Sequence, residues 1–257
     1  VLELCVDAGE TLLANGAEIY RAQQTMELIA RSYGAEHFNA YVLTNGLIAS
    51  IRLEGADEHA AVRNTPRVDM NLGRISAVNA LSREIVAGTV TVEAAFARLA
   101  VIRAMRGFPG WMMALASAVA AACFSFLLGG SVLDALTALA PGFAVGLFTC
   151  RLARTRAPLN KLVSNMLSAG VVALVSVVCV QLHGMAGLSC DLDKVIIGGI
   201  VSLMPGIALT NGIRDVANCD YLSGTIRAID AVLVAAGIAL GVGIVLRAAS
   251  LVPGVYL

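Results

Sequence analysis

The residues of this 257-residue chain best placed to do chemistry crowd into one stretch near its end: Met204-Pro205-Gly206, Thr210-Asn211, Arg214-Asp215, Asp220, Ser223-Gly224, Arg227 and Asp230. Proline has no amide hydrogen and clashes with the preceding turn, and glycine loosens the same point, so a helix through Pro205-Gly206 is expected to kink or break near its middle. A helix broken inside an apolar layer presents backbone carbonyls and helix-end dipoles, the usual material of ion and small-molecule sites facing a water-filled cavity. Thr210 and Asn211 add side-chain donors and acceptors about one turn later. Arg214 and Asp215 are neighbours and so point in different directions, which leaves each to find another partner; one would bind an anion while the other acts as a clamp. Arg227 and Asp230 lie at i, i+3, and two readings stand open. Either they form an interfacial ion pair with the arginine snorkelling, or Asp230 is desolvated and accepts a proton. Ser164, Asn165 and Ser168 are candidates to line the same cavity, or Asn165 and Ser168 bond a neighbouring helix. For the whole cluster the alternative is a kinked helix followed by a capped loop.

The elements that must position these residues follow from hydropathy. The chain is 58% apolar with mean hydropathy +0.80 and no net charge. Its charges are uneven: residues 1–108 carry 12 Asp/Glu and 10 Lys/Arg, residues 109–257 only 6 and 8. Such a chain has two solvents. Neither half has the basic excess that nucleic-acid binding requires, so no nucleic-acid partner is expected. A helix needs about 20 largely apolar residues to cross a hydrocarbon core about 30 Å thick. Uncharged runs give spans over about 109–128, 132–150, 162–182, 195–211 and 226–246. The expected fold is therefore membrane α-helical: a small cytoplasmic α+β domain over 1–108, then a bundle of about five transmembrane helices over 109–257. Gly142 with Gly146, and Gly237 with Gly241, have the GxxxG spacing that lets helix backbones approach closely. Arg103, Arg106, Arg151, Arg154, Arg156, Lys161, Arg214 and Arg227 fall on one side of the bundle and only Lys194 and Arg247 on the other. The positive-inside rule then puts the N-terminus in the cytoplasm and, after five crossings, the C-terminus outside.

In the N-terminal part, helical spacing over 2–14 ends at Asn15-Gly16, and a second helix runs from about Glu18 to Ser32, closed by Gly34. β-formers flank Asn45-Gly46, so strands are expected at 37–44 and 47–53. A polar loop containing Pro66 leads to helices from about Asp69 to Ala87 and from Val92 to Arg106, with Thr91 as N-cap. Charges here mostly have the spacing of a solvated helix face, as Glu18 with Arg21 at i, i+3. No nucleophile elbow, P-loop or metal-ligand cluster is present, and we expect no enzyme activity, cofactor or metal. The six scattered cysteines have no CxxC pair and read as apolar packing. His37, His59 and His183 lack companions. Glu3, Asp7 and Glu10 interrupt the first apolar residues, which does not fit a signal peptide.

Asn15-Gly16-Ala17-Glu18-Ile19-Tyr20-Arg21, with Thr25-Met26-Glu27 and Tyr33-Gly34-Ala35, resembles the N-terminal signature of the threonine/serine exporter (ThrE-like) family. The Pro205-Gly206 to Asp215 run, with Asp220 and Leu222-Ser223-Gly224, is similar to that family's membrane motif. The resemblance implies Pro205, Gly206, Thr210, Asn211, Arg214 and Asp215 as the core of a substrate or ion pathway, with Asp220 and Asp230 beside it. Phe108-Pro109-Gly110-Trp111 leading into Ala122-Cys123-Phe124 resembles the larger component of the family's split two-component (YjjP/YjjB-type) branch, associated with succinate export. That resemblance implies a subunit of a secondary exporter of small carboxylates, succinate first and threonine or serine as the alternative. It also implies a bacterial inner-membrane location and a smaller membrane subunit that supplies the remaining helices of a hetero-oligomer. From another class, a membrane-anchored regulatory or enzymatic domain is the competing reading, although one span would suffice as an anchor.

Overall fold

A computed structural model describes residues 1–65, 70–153 and 160–252. Pro66, Asp69, Arg154 and Arg156 lie outside them. The described residues are mostly helical and fall into two compact units. One comprises Val1–Gly107 together with Thr210–Arg227; the other comprises Phe108–Leu209 and the residues from Ala228 on. Thr210–Arg227, which a division at residue 108 assigns to the membrane part, thus joins the compact unit of the N-terminal residues.

The first unit is built from α1 (Leu2–Ala14), α2 (Ile19–Ser32), β1 (Ala35–Leu43), β2 (Gly46–Leu53), β3 (His59–Asn64), α3 (Leu72–Val86) and α4 (Val92–Ala104). The strands form one antiparallel sheet in the order β1-β2-β3. Two details differ from expectation. Leu43 pairs with Gly46, so the hairpin turn is Thr44-Asn45 rather than Asn45-Gly46. Gly46 serves the sheet instead, because a Cβ there would stand 2.9 Å from the Arg63 carbonyl oxygen of β3. The polar stretch after the hairpin supplies β3, whose His-Ala-Ala-Val-Arg-Asn sequence has little β propensity of its own and is held by pairing with β2.

Leu4, Leu12, Met26, Ile29, Leu47, Val78, Ile85 and Leu99 are buried together between α1–α4 and the inner face of the sheet. Full burial of such a side chain contributes roughly 1.5–3 kcal/mol. Gly9 has no room for a Cβ beside the Met26 thioether, which brings α1 and α2 into close contact. Thr91 caps α4 as expected, its hydroxyl accepting from the Ala94 amide at 3.3 Å. Arg103 of α4 reaches back to α1, donating to the Thr11 hydroxyl at 2.8 Å and to Glu10 at 2.9 Å.

The second unit contains α5 (Gly110–Leu127), α6 (Val132–Ala153), α7 (Lys161–Met185), α8 (Leu192–Ile200) and most of α10 (Tyr221–Ala249). Four of these, α5, α6, α7 and α10, are long and apolar enough to cross a membrane. The expected fourth span is broken. Leu192–Leu203 and α9 (Gly206–Ala217) qualify only as a pair, bent by 57° at Met204-Pro205, which is where proline and glycine were expected to interrupt it.

Glycine governs how the spans touch. A Cβ on Gly142 would meet Ala121 Cβ at 2.6 Å and the Ser117 carbonyl oxygen at 2.8 Å, and one on Gly146 would meet Ala114 Cα at 2.6 Å. Gly142 and Gly146 therefore seat α6 directly on the small-residue face of α5, as their spacing implied. Gly237 and Gly241 do the same for α10 against the Leu162 and Met166 carbonyls of α7. Gly198 lies against the Ala121 carbonyl oxygen and Gly199 against Val172 and Pro141, so α8 is wedged among α5, α6 and α7. Asp134 fixes one end of this bundle, accepting the Ser131 and Asp191 amides at 2.7 Å each.

Candidate functional site

The charged residues after the break sit on a tight helical hairpin. α9 presents Asn211, Gly212 and Asp215 as its buried face, and α10 answers with Ser223, Gly224 and the partly buried Arg227. The two helices touch at Gly224, where a Cβ would lie 2.8 Å from the Gly212 carbonyl oxygen and 2.5 Å from Val216 Cγ2. The turn between them is a Schellman closure. The Asp220 amide bonds the Asp215 carbonyl at 2.9 Å and the Cys219 amide bonds Val216 at 3.0 Å. Cys219 consequently takes the left-handed conformation, φ 67°, that glycine normally fills. Asp220 then caps α10 by accepting the Ser223 amide at 3.2 Å.

Within the same unit the hairpin engages the turn between α1 and α2. Arg214 pairs with Glu18. Arg227 donates to the Ala17 carbonyl at 3.3 Å, and its Nε lies 3.3 Å from Asp215 Oδ2. Asp215 is 2% exposed, and this oxygen forms no geometric hydrogen bond, so its contact with Arg227 is coulombic. Ser223, fully buried, has a hydroxyl with no hydrogen-bond partner among the described residues. Two guanidinium groups and two carboxylates thus interlock over a short distance, and their charges sum to zero.

This arrangement sorts the candidate residues. Arg214, Asp215 and Arg227 come together, and Glu18 joins them. Reading Glu18 with Arg21 as a solvated pair missed this: Arg21 donates to Gln24, while Glu18 faces Arg214. The signal was present in the Asn15-Gly16-Ala17-Glu18 signature, although nothing in helix periodicity tied it to position 214. Asp220 is a helix cap. Of the two open readings of Arg227 and Asp230, the ion pair does not form. Arg227 shares the face of Ser223 and Gly224, while Asp230 lies on the α7-facing side with Gly237 and Gly241 and pairs with Lys161 at 3.5 Å. That carboxylate is half exposed among the described residues. Asn165 donates to the Lys161 carbonyl of its own helix at 2.8 Å, and Ser168 to that of Ser164 at 2.8 Å. Back-bonding of this kind takes the Ser168 hydroxyl proton and one of the two Asn165 amide N–H groups within α7. Pro205 and Gly206 sit in the break and line an apolar groove of about 740 Å³ between α8 and α10. Thr210 lies exposed on α9, and Asn211 is buried there.

Several helices long and apolar enough to cross a membrane, with a further pair bent at a proline and a small sheet domain, fit a multi-pass membrane protein rather than a single-span anchor. The model of the family described as "Putative threonine/serine exporter" matches residues 3–249, and the chain belongs to that family. It is similar to the "Threonine/serine exporter" of Corynebacterium glutamicum, with 25% identity over 253 residues, covering 95% of this chain and 50% of the relative. It is likewise similar to the "Probable threonine/serine exporter" of Mycobacterium tuberculosis, with 23% identity over 249 residues, covering 96% of this chain and 46% of the relative. The chain therefore spans about half the length of the curated relatives it matches. No solved structure matches it.

Proposed function

We propose that this chain forms one membrane half of a secondary exporter of threonine and serine, acting with a second membrane half in the bacterial inner membrane, its N-terminus in the cytoplasm. The observation that carries the reading is the broken span running straight into the interlocked Glu18, Arg214, Asp215 and Arg227 in a chain of this family. Arg214, Asp215, Arg227 and Asn211 with the Pro205-Gly206 break are the proposed pathway, and Glu18 belongs with them. The charge pattern supports a zwitterion over succinate. A zwitterionic amino acid brings one carboxylate and one ammonium, so it exchanges for an existing Arg–Glu pair without changing the charge of the cluster. A dicarboxylate would bring two negative charges to a cluster whose charges already sum to zero, with Arg214 alone released to meet them. Both relatives are also named for threonine and serine. Without a nucleotide-binding motif in the sequence, an ion gradient is the proposed energy source.

Efflux of labelled threonine, serine and succinate from proteoliposomes holding this chain with its second half tests the reading. Threonine and serine should leave faster than succinate, and Arg214→Ala should slow them while membrane insertion persists. Succinate efflux alone would move the substrate to the dicarboxylate. No flux of any of the three would sink the transport reading.

A further inference from the structure

Among the described residues, three arginines from three elements reach the turn Asn15-Gly16-Ala17-Glu18. Arg214 of α9 pairs with Glu18, Arg227 of α10 donates to the Ala17 carbonyl, and Arg74 of α3 donates to the Asn15 side-chain oxygen at 3.4 Å. The first two belong to the candidate site. Arg74 comes from outside it, and its second terminal nitrogen donates to the Met105 carbonyl at 2.7 Å, one residue past the end of α4. The backbone beside Arg74 is fixed as well. Asn71 caps α3 by accepting the Arg74 amide at 3.0 Å, and the Asn71 amide donates to the Asn15 carbonyl at 3.3 Å.

The two ends of the turn are not equally secured. On the α1 side Gly16, at φ 88°, closes a Schellman motif, with the Ala17 amide on the Leu12 carbonyl and its own amide on Leu13. On the α2 side Glu18 is the N-cap, but its side chain makes no capping bond and faces Arg214 instead. Asn15 is 3% exposed and donates to the Thr11 carbonyl at 2.6 Å, which leaves its side-chain oxygen to Arg74.

We infer that Arg74 is a positioning residue for the proposed export: by bridging Asn15 to Met105 it fixes the turn that presents Glu18, and so sets where that carboxylate stands once a substrate displaces it from Arg214. With the Arg214 contact gone, the turn is held by Arg227 at Ala17 and by Arg74 and Asn71 at Asn15. A planar guanidinium suits this task, because its nitrogens bind two oxygens in one fixed geometry, which a lysine ammonium on a flexible stem does not reproduce. Packing alone does not call for it. The Arg74 Nε–H is buried with no hydrogen-bond partner among the described residues, an unfavourable arrangement for a side chain that only fills space.

The inference rests on the reading of Glu18 and Arg214 as a pair that substrate exchanges. Arg74→Gln, which can reach only one of the two oxygens, is to be made in the whole protein with its second half. In the substrate-free protein, hydrogen exchange at the Ala22 amide, which bonds the Glu18 carbonyl at 3.0 Å, should quicken severalfold while Leu81 and Ile85 of α3 keep their protection. The threonine KM for efflux should rise severalfold with kcat little changed, and in a Glu18→Gln background the same substitution should change KM by less than about twofold. A residue that only stabilises the unit would lower protection throughout α1–α4, and its effect would multiply with that of Glu18→Gln; either result overturns the inference. Arg74→Lys should reproduce the glutamine pattern, and failure of both variants to fold would overturn it as well. Where Glu18→Gln itself stops efflux, the exchange measurement decides. Exchange uses no substrate, so a local change at Ala22 without threonine or serine efflux would sink only the substrate assignment. Efflux with Ala22 exchange unaltered would sink only the role of Arg74.

Discussion

Replacing Arg227 by alanine removes the cation 3.3 Å from Asp215 and leaves a carboxylate that is only 3% exposed without a counter-charge. At an effective dielectric of about 20, two unit charges at that separation attract by about 5 kcal/mol, and the cost of desolvating both offsets part of it. Breaking one side of a buried pair typically costs 3–5 kcal/mol. Arg227 keeps 16% of its side chain in contact with solvent, so the lower end, about 3 kcal/mol, is the expected loss for Arg227→Ala. Substituting both partners, Asp215→Leu with Arg227→Met, abolishes the orphaned charge and should cost less than about 1.5 kcal/mol. The cycle is closed by the single variants Arg227→Met, expected like the alanine to cost about 3 kcal/mol, and Asp215→Leu, expected to cost at least about 1 kcal/mol, so the coupling energy should be at least about 2 kcal/mol. Lys161 and Asp230 provide the internal reference, because they lie 3.5 Å apart with side chains 65% and 53% exposed. Solvent screens that pair, and its coupling should stay below about 1 kcal/mol. Unfolding free energies of the full chain in detergent, at two salt concentrations, measure both cycles. A coupling for Asp215–Arg227 no larger than that for Lys161–Asp230, or one that disappears with salt, would refute the account of a buried clamp.

Cys219→Gly should stabilise the chain by about 1 kcal/mol, because glycine takes φ 67° without the penalty of a Cβ, and a fall in melting temperature would contradict the Schellman reading. Gly198→Leu should cost roughly 1–3 kcal/mol through overpacking against Ala121 and Ser125, whereas Gly206→Ala, whose Cβ meets nothing within 4 Å, should change stability by less than about 1 kcal/mol. Equal melting temperatures for the two variants would refute the wedge. Burial pushes the Cys5 thiol up to about 12, so at pH 8 it should resist iodoacetamide in the folded chain while exposed Cys219 is alkylated. The same shift sets a sign for stability. The neutral thiol costs nothing below the ordinary thiol range, and stability falls as pH rises from that range toward about 12, because the unfolded chain ionises first. Rapid alkylation of Cys5 before unfolding would show that α1 is not packed as described.

The membrane spans were legible because their signal is local. Hydropathy over 20 residues is a property of a segment alone, and so is the backbone conflict at Pro205-Gly206. GxxxG spacing located two helix contacts for the same reason, since a missing side chain permits close approach whatever the partner. Side-chain partners were legible only where chain proximity fixed them. Thr91 capping α4 is such a case, three residues from the amide it accepts. Arg227 and Asp230 show the limit: i, i+3 spacing permits an ion pair, but each side chain found a stronger claim on another element. Glu18 and Arg214 are 196 residues apart, and no periodicity relates them. β3 was illegible because its residues become a strand only by pairing with β2.

The four charges of the candidate site differ in a way that bears on how a substrate would engage them. Asp215 and Arg227 are largely withdrawn from solvent, and Arg227 is further tied to the Ala17 carbonyl. Parting them for each substrate molecule would leave a buried charge at every cycle, at a cost of about 3 kcal/mol, which would consume most of the about 4 kcal/mol with which a millimolar-affinity substrate binds. Arg214 and Glu18 are another matter, with side chains 51% and 24% exposed. A pair that exposed is worth at most about 1 kcal/mol, so water or an amino acid displaces it readily. The physical division is then between a fixed clamp, which holds α9 to α10 and the hairpin to Ala17, and an exchangeable pair presented at its edge. Under the proposed function, an amino-acid carboxylate meeting Arg214 would release Glu18, whose carboxylate would then be available to the ammonium group of the same molecule. Glu18 is also the N-cap residue of α2, so exchange at this pair would bear directly on the entry to that helix.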